Sequence, residues 1–337
     1  MLTRPARPYL LFLGDITEPR FAKTAFGLRD WAPEACVGEL ALPAATVSTD
    51  LPRLTPAQAW EKGARSVVIG IANRGGVLAP EWIPLLVQCL QAGLDIVSGM
   101  HVRLAQHAEI KAAAERFGRN LVDVRVPPAL IPIASGRKRA GKRLLTVGTD
   151  CALGKKYTAL ALTRAMRSRG IDADFRATGQ TGILIAGDGI PIDAVVADFV
   201  AGAAEMLTPS AAPTHWDVVE GQGSVFHPSY SGVSLGLLHG TQPDVIVVCH
   251  ELGRERVMGS EHYAVPSLPD TIDLHLRLAR RTNPDVRCAG VSLNTAALDA
   301  DAAEAALATH AERLRLPVAD PIRGGPAFDR LVEACLA

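Results

Sequence analysis

The sequence predicts an α/β protein with two parallel sheets in series. Three observations predict it. Short apolar runs alternate with segments of helical period along both halves of the chain, a βαβα rhythm that covers a parallel sheet with helices on its faces. The 337 residues exceed one average domain and suit two. Between the halves, VPPALIPIASGRKRAGKR combines prolines, glycines and a basic run, which marks a linker from about Pro127 to Lys142. The expected domains are therefore residues 1–135 and 136–337.

In the first domain the apolar, partly β-branched runs YLLFLGD (Tyr9 to Asp15), SVVIGIA (Ser66 to Ala72), LDIVSGM (Leu94 to Met100) and NLVDVRVP (Asn120 to Pro127) predict strands. PEWIPLLVQCLQAG and HAEIKAAAERFG carry apolar residues at helical spacing. In the second domain strands are expected at Leu144 to Val147, Ala173 to Ala177, Asp217 to Glu220, Val245 to Cys249, Cys288 to Leu293 and around Pro317 to Val318. Helices fill the gaps, notably KKYTALALTRAMRSRG, IDAVVADFVAGAAEML, TIDLHLRLARR and DADAAEAALATHAERLRL.

Composition narrows the function. Hydrophobic residues make up 48% and charged residues 21%, the balance of a globular enzyme, and the formal charge of +0 argues against a nucleic-acid or anionic-membrane partner. Six cysteines lie without C-x-x-C or metal spacing and read as reduced thiols. The N-terminal apolar run is closed by Asp15 too early for a signal peptide, and no stretch reaches the roughly 20 apolar residues of a membrane span. A cytoplasmic chain is expected, and a helix-covered enzyme of this kind is expected to form a homo-oligomer.

In open α/β sheets ligands bind beyond the carboxyl ends of the strands. After the first strand of the second domain comes GTDCALGKK, Gly148 to Lys156, leading into a helix. Its backbone N–H groups, the helix N-terminus and a lysine suit a phosphate group; the alternative is a glycine-capped turn with solvated lysines. Five residues separate Gly148 from Gly154, and Lys156 stands where a phosphate loop has its magnesium-binding hydroxyl. Thr158 cannot replace it, since two helical residues turn it by roughly 200°. The loop is better suited to holding a phosphate than to cleaving one.

The next strand end, Thr178 to Gly182, is a polar turn whose Thr178, Gln180 and Thr181 offer donors to a carboxylate or phosphate, with Arg176 just before them. Glu220 follows the third strand as a general base, a metal ligand or an acceptor for backbone amides; His227, Tyr230 and Ser231 continue that loop. His250, Glu251 and Arg254 follow the fourth strand, to line a pocket or form ion pairs. Asn294 and Thr295 follow the fifth, where an amide suits the edge of a base. His239 and His275 fall inside helices and read as structural. In the first domain Gly14-Asp15, Asn73 to Gly76 and Ser98 to His101 end strands; Arg74 and His101 suit an anionic small molecule or a subunit contact. There is no G-x-G-x-x-G, so a dinucleotide cofactor is not supported.

GTDCALGKK resembles the phosphate loop of dethiobiotin synthetases, and ATGQTG and VVEGQGS are similar to the loops that follow in that family. A closer resemblance spans almost the whole chain. GIANRGGVLAPEW, GLDIVSGMHVRL, VGTDCALGKKYTAL, FRATGQTGILIAGDGIPIDAVVADFVAGAAE, VVEGQGSVFHPSYSGVSLGLLHG and VSLNTAAL resemble, in the same order, a family associated with D-glutamate N-acetyltransferases. That resemblance implies an N-terminal Rossmann-like domain, a C-terminal P-loop NTPase-like domain, and acetyl transfer from acetyl-CoA to the amino group of D-glutamate, a small-molecule substrate. CoA carries a diphosphate that is gripped and never cleaved, so no metal is required.

On this reading Gly148, Thr149, Asp150, Cys151, Ala152, Leu153, Gly154, Lys155, Lys156, Tyr157 and Asn294 bind the cofactor. Glu220 is the first candidate base and His227 the second. Lys155 stabilises charge on the thioester oxygen, and Asp150 completes the candidate catalytic set. Arg176, Thr178, Gln180, Thr181, Tyr230 and Ser231 hold the substrate. The rival readings are an ATP-dependent ligase or kinase with Asp150 and Glu220 on Mg²⁺, and a nucleotide- or CoA-binding protein without turnover.

Overall fold

The computed structural model describes residues 5–337, apart from the side chain of Arg74, so the reading of Arg74 as an anion ligand lies outside the described residues. Its contacts form two compact units. One comprises the described residues up to Pro128 together with Gly179–Ala194, and the other comprises Ala129–Thr178 and Val195–Ala337. The sequence expects a boundary at 135/136; by contacts the chain first passes between units at Pro128–Ala129, and sixteen later residues, 179–194, return to the first unit.

The first unit is built on five parallel strands, β1 (Tyr9–Gly14), β2 (Cys36–Ala41), β3 (Ser66–Ile69), β4 (Asp95–Ser98) and β5 (Leu121–Asp123), in the order β2-β1-β3-β4-β5. Every residue of β1 and β3 is buried, as the centre of a sheet covered on both faces demands. Four helices connect these strands: α1 (Lys23–Trp31), α2 (Pro56–Glu61), α3 (Ile83–Gln91) and α4 (Ala108–Phe117). Local signals set their ends. Thr55 and Gln58 form a capping box on α2, and Gly118 closes α4 in the left-handed region. The excursion supplies α6 (Gln180–Ala186), which packs on α1 through a 3.0 Å bond between the Thr24 and Thr181 hydroxyls.

In the second unit β6 (Lys142–Gly148), β7 (Ala173–Arg176), β8 (Trp216–Val219), β9 (Val245–Glu251), β12 (Arg287–Asn294) and β13 (Val318–Ala319) pair in parallel in the order β13-β12-β9-β6-β8-β7. A short antiparallel hairpin, β10 (Arg256–Val257) and β11 (Ser260–Ala264), follows β9. The helices are α5 (Lys155–Ser168), α7 (Val200–Leu207), α8 (Ser231–Thr241), α9 (Leu268–Ala279), α10 (Ala300–Leu314) and α11 (Gly325–Leu336). One core joins Leu144, Val218 and Val247 of the sheet to Leu162 and Met166 of α5 and Leu331 of α11. Among the described residues no helix is long and apolar enough to cross a membrane.

Each sheet reverses its strand order beside its first strand, β1 in one unit and β6 in the other. That reversal opens a crevice at the carboxyl ends of the flanking strands.

Candidate active site

The loop after β6 is held from within the second unit. Gly154 adopts φ +110° at the helix N-cap, a conformation open to glycine, and Ala152 also has positive φ at +53°. The Lys155 side chain is buried, and its ammonium donates to the Asp150 carbonyl at 2.7 Å, bridging the loop's two ends. Burial pushes its pKa down. Thr158 bonds Ser292 on β12 at 2.7 Å, so its hydroxyl faces the sheet, as its offset along the helix requires. The Lys156 ammonium lies 4.9 Å from the centre of the Tyr157 ring.

Asp150 anchors this loop. It is fully buried, and its carboxylate accepts from Cys151 N (2.7 Å), Met258 N (2.8 Å) and the Arg254 guanidinium (3.1 Å). Arg254 also donates to the Cys151 carbonyl at 2.8 Å and pairs with Glu251. These bonds let the Asp150 oxygens hold the loop to the segment after β9 and to the hairpin tip. Thr149 is braced by His250 Nδ1 (2.9 Å) and, at its carbonyl, by the Ser224 hydroxyl (3.2 Å). Burial, with His310 and Arg254 adding to it, pushes the His250 pKa down.

Glu220 directly follows β8 and is buried. Its Oε2 accepts from Thr178 N at 3.0 Å, while its carbonyl accepts from the Thr178 hydroxyl at 2.7 Å. The following N–H, of Gly221, donates to Thr146 on β6 at 2.9 Å, so the carboxylate stands one strand away from the phosphate-type loop. Its companion His227 is committed elsewhere. Ser229 N donates to Nδ1 at 3.1 Å, leaving Nε2 to donate to the Met258 carbonyl at 3.1 Å. Both nitrogens of His227, the second candidate base, meet backbone groups. Donor atoms of Asp150, Cys151 and His227 lie within 4.8 Å of one another, yet the Asp and His members are those already bonded to protein. Cys151 is half-buried and its thiol pKa is raised, chiefly by burial.

The expected substrate residues do not form one group. Arg176 donates to Asp217 at 2.6 Å and pairs with Asp174 at 3.4 Å, in a network that includes His215 and the fully buried Arg143. The Arg176 charge, expected to hold a substrate carboxylate, is thus paired on its own sheet. Thr178 is spent on Glu220 and accepts from Gln222 Nε2 at 3.0 Å. Tyr230 is half exposed with its ring 4.4 Å from that of His227, and Ser231 begins α8. Gln180 and Thr181 belong to the first unit. The Asn294 side chain accepts from Ala296 N at 3.1 Å, forming a local turn after β12.

One part of this network went unread in the sequence. The hairpin tip, through Met258 N and O, ties Asp150 to His227; the signal was Met258-Gly259 between two short β-prone runs. His275, expected to be structural, lines a cavity of about 10 Å³ with β6 and residues 221–224. Its Nδ1 bonds the Thr271 carbonyl at 2.7 Å, and burial pushes its pKa down to about 4.

Comparison with known proteins places this geometry. The DUF1611 P-loop domain, described as a domain of unknown function, matches residues 132–332, and the DUF1611_N Rossmann-like domain, described in the same way, matches residues 35–127. A D-glutamate N-acetyltransferase of Tritonibacter scottomollicae is 51% identical over 330 residues, 98% of either chain. Another D-glutamate N-acetyltransferase, from a Pseudoalteromonas species, is 47% identical over 318 residues, 94% of this chain and 96% of that one. The crystal structure of a DUF1611 family protein from Anabaena variabilis ATCC 29413 superposes with a TM-score of 0.88 at 34% identity, covering 98% of this chain and 99% of that one.

Proposed function

The chain belongs to the DUF1611 family, and on that premise we infer that it transfers the acetyl group of acetyl-CoA to the amino group of D-glutamate. The names of the two D-glutamate N-acetyltransferases support this activity and lend nothing to the ATP-dependent alternative. The observation that carries the reading is the loop from Gly148 to Tyr157. It presents a helix N-terminus and a buried lysine, while Thr158 is bonded to Ser292 and the Asp150 carboxylate to Arg254. Such a loop fits a diphosphate that is bound through backbone N–H groups and Lys155 and is never hydrolysed.

Acetyl-CoA supplies the activated acyl group. Glu220 takes the proton from the substrate ammonium, so that the free amine can attack the thioester carbonyl. The C–N bond forms, the C–S bond breaks, and the thiol leaves as CoA. Lys155 or the loop amides donate to the developing oxyanion. The pantetheine arm has to fold back toward β8 for these groups to reach the thioester. Thiol release from acetyl-CoA in the presence of D-glutamate, L-glutamate or ATP tests the reading. Release with D-glutamate is expected; ATP consumption without thiol would overturn it.

A further inference from the structure

His275 combines burial, a fixed tautomer and a cavity, all within the second unit. It lies on α9 and is buried, and its Nδ1 meets the Thr271 carbonyl at 2.7 Å. A carbonyl oxygen only accepts, so that nitrogen carries the ring proton. Burial pushes the pKa of the ring down to about 4, so near neutral pH it holds this one proton. Nε2 is thereby left with a lone pair. The ring lines a cavity of about 10 Å³ between β6, α8 and the loop after Glu220, the size at which a buried space takes a single water molecule.

The hydroxyl side chains around the cavity have also spent their protons. Ser224 Oγ donates to the Thr149 carbonyl at 3.2 Å, Ser234 Oγ to the Gln222 carbonyl at 2.7 Å, and Thr146 Oγ1 to the Val219 carbonyl at 3.3 Å. The Gln222 amide is directed at Thr178 instead, 3.0 Å away. Each hydroxyl oxygen keeps lone-pair capacity, so these side chains and His275 offer acceptors to a shared neighbour. A molecule with two O–H donors and one heavy atom complements them. The same walls border the candidate active site. Residues 221–224 directly follow Glu220. A Cβ added at Gly221 would lie 3.0 Å from Lys155 Cδ, and one added at Gly148 would lie 3.4 Å from Lys155 Nζ, so the Lys155 side chain runs along two glycines of the cavity wall.

We propose that this cavity binds one water molecule, which donates to His275 Nε2 and to a hydroxyl of the wall, and that His275 is a positioning residue. Through the water, α9 holds the turn at residues 221–224 in place, and with it Glu220 and the wall against which Lys155 lies. A buried nitrogen lone pair is costly to leave unmatched, which is the physical reason for a water there. The catalytic consequence rests on the acetyl-transfer reading above; the bound water does not.

Two variants separate the halves of the ring. His275→Asn keeps a donor in place of Nδ1 and removes the acceptor, whereas His275→Gln keeps an acceptor near the position of Nε2. High-resolution crystals are expected to show an ordered water within hydrogen-bond distance of Nε2 in the wild type, retained in His275→Gln and lost from His275→Asn. Wild-type crystals without that water would overturn the site. In steady-state kinetics kcat is expected to fall roughly three- to tenfold in His275→Asn, the loss of one hydrogen bond, and to stay within about twofold of wild type in His275→Gln. A wild-type kcat in His275→Asn, or an equal loss in both variants, would overturn the positioning role. Amide hydrogen exchange at residues 221–224 reads the same brace without catalysis, and is expected to quicken in His275→Asn alone. Should the wild-type enzyme transfer no acetyl group, the functional reading fails, and crystals and exchange decide the proposal by themselves. The water together with faster exchange in His275→Asn alone upholds it; either one missing overturns it.

Discussion

The carboxyl edges of the two sheets are finished in opposite ways. At the edge of the second sheet, Asp150, Thr149 and His227 are each bonded to neighbouring loops or to the hairpin tip. At the edge of the first, Asn73, Gln180 and Arg125 keep buried atoms without partners. The difference teaches that the loops of the second edge are ordered by partners within the protein, so that little ordering remains to be done by a ligand bound there, whereas the first edge carries the cost of polar atoms left unpaired.

The sharpest way to break this contrast is Glu220→Gln. It is expected to lower kcat by about 10²–10⁴-fold, the usual loss of a general base, with CoA affinity retained in calorimetry. Unchanged turnover would remove Glu220 from the chemistry. Next comes Lys155→Ala, which takes a charge-assisted donor from the completed edge. KM for acetyl-CoA is expected to rise roughly 10–100-fold; an unchanged KM would remove Lys155 from cofactor binding. Asp150→Asn loosens the loop rather than removing a ligand group. Its expected signature is a Tm lower by roughly 5 °C in thermal unfolding, from weakened charge-assisted bonds to Arg254 and Met258.

The last effect, confined to acid pH, is a loss of stability. The folded pKa of His275 is pushed down to about 4, while the unfolded chain holds it near the ordinary value of about 6.5. The unfolded state therefore binds the extra proton first, and stability is lost as pH falls from about 6.5 toward 4, by roughly 3 kcal/mol when complete. His275→Asn is expected to flatten that part of the stability profile measured by denaturant titration. An unchanged slope would mean that another buried group causes it.

Much of the fold was legible because parallel strands buried on both faces are continuous apolar runs. All six expected strands of the second domain are present, β6, β9 and β12 a little longer than the runs that announced them. Elements whose signal depends on distant packing were not legible. β2 is only partly buried and was not expected. The stretch from Thr178 to Gly182 looked like a polar turn because of its glycines, yet Gln180 opens a helix whose buried face meets α1. The helix expected from Ile192 begins only at Val200, since the chain passes from one unit to the other between Ala194 and Val195. The site divides in the same way. The Gly154-Lys155 turn and the Glu220 strand end are local patterns, whereas the commitments of Asp150, His227 and Arg176 arise from partners 31 to 108 residues away.

The central claim is that the loop from Gly148 to Tyr157 grips the diphosphate of acetyl-CoA without cleaving it. Isothermal titration of CoA, ADP and pantetheine in the presence of a magnesium chelator tests it most directly, with wild type beside Lys155→Ala. The account predicts that CoA and ADP bind without magnesium and weaken together in the variant, while pantetheine binds poorly to both. Binding that requires magnesium, or that is indifferent to Lys155, would contradict it.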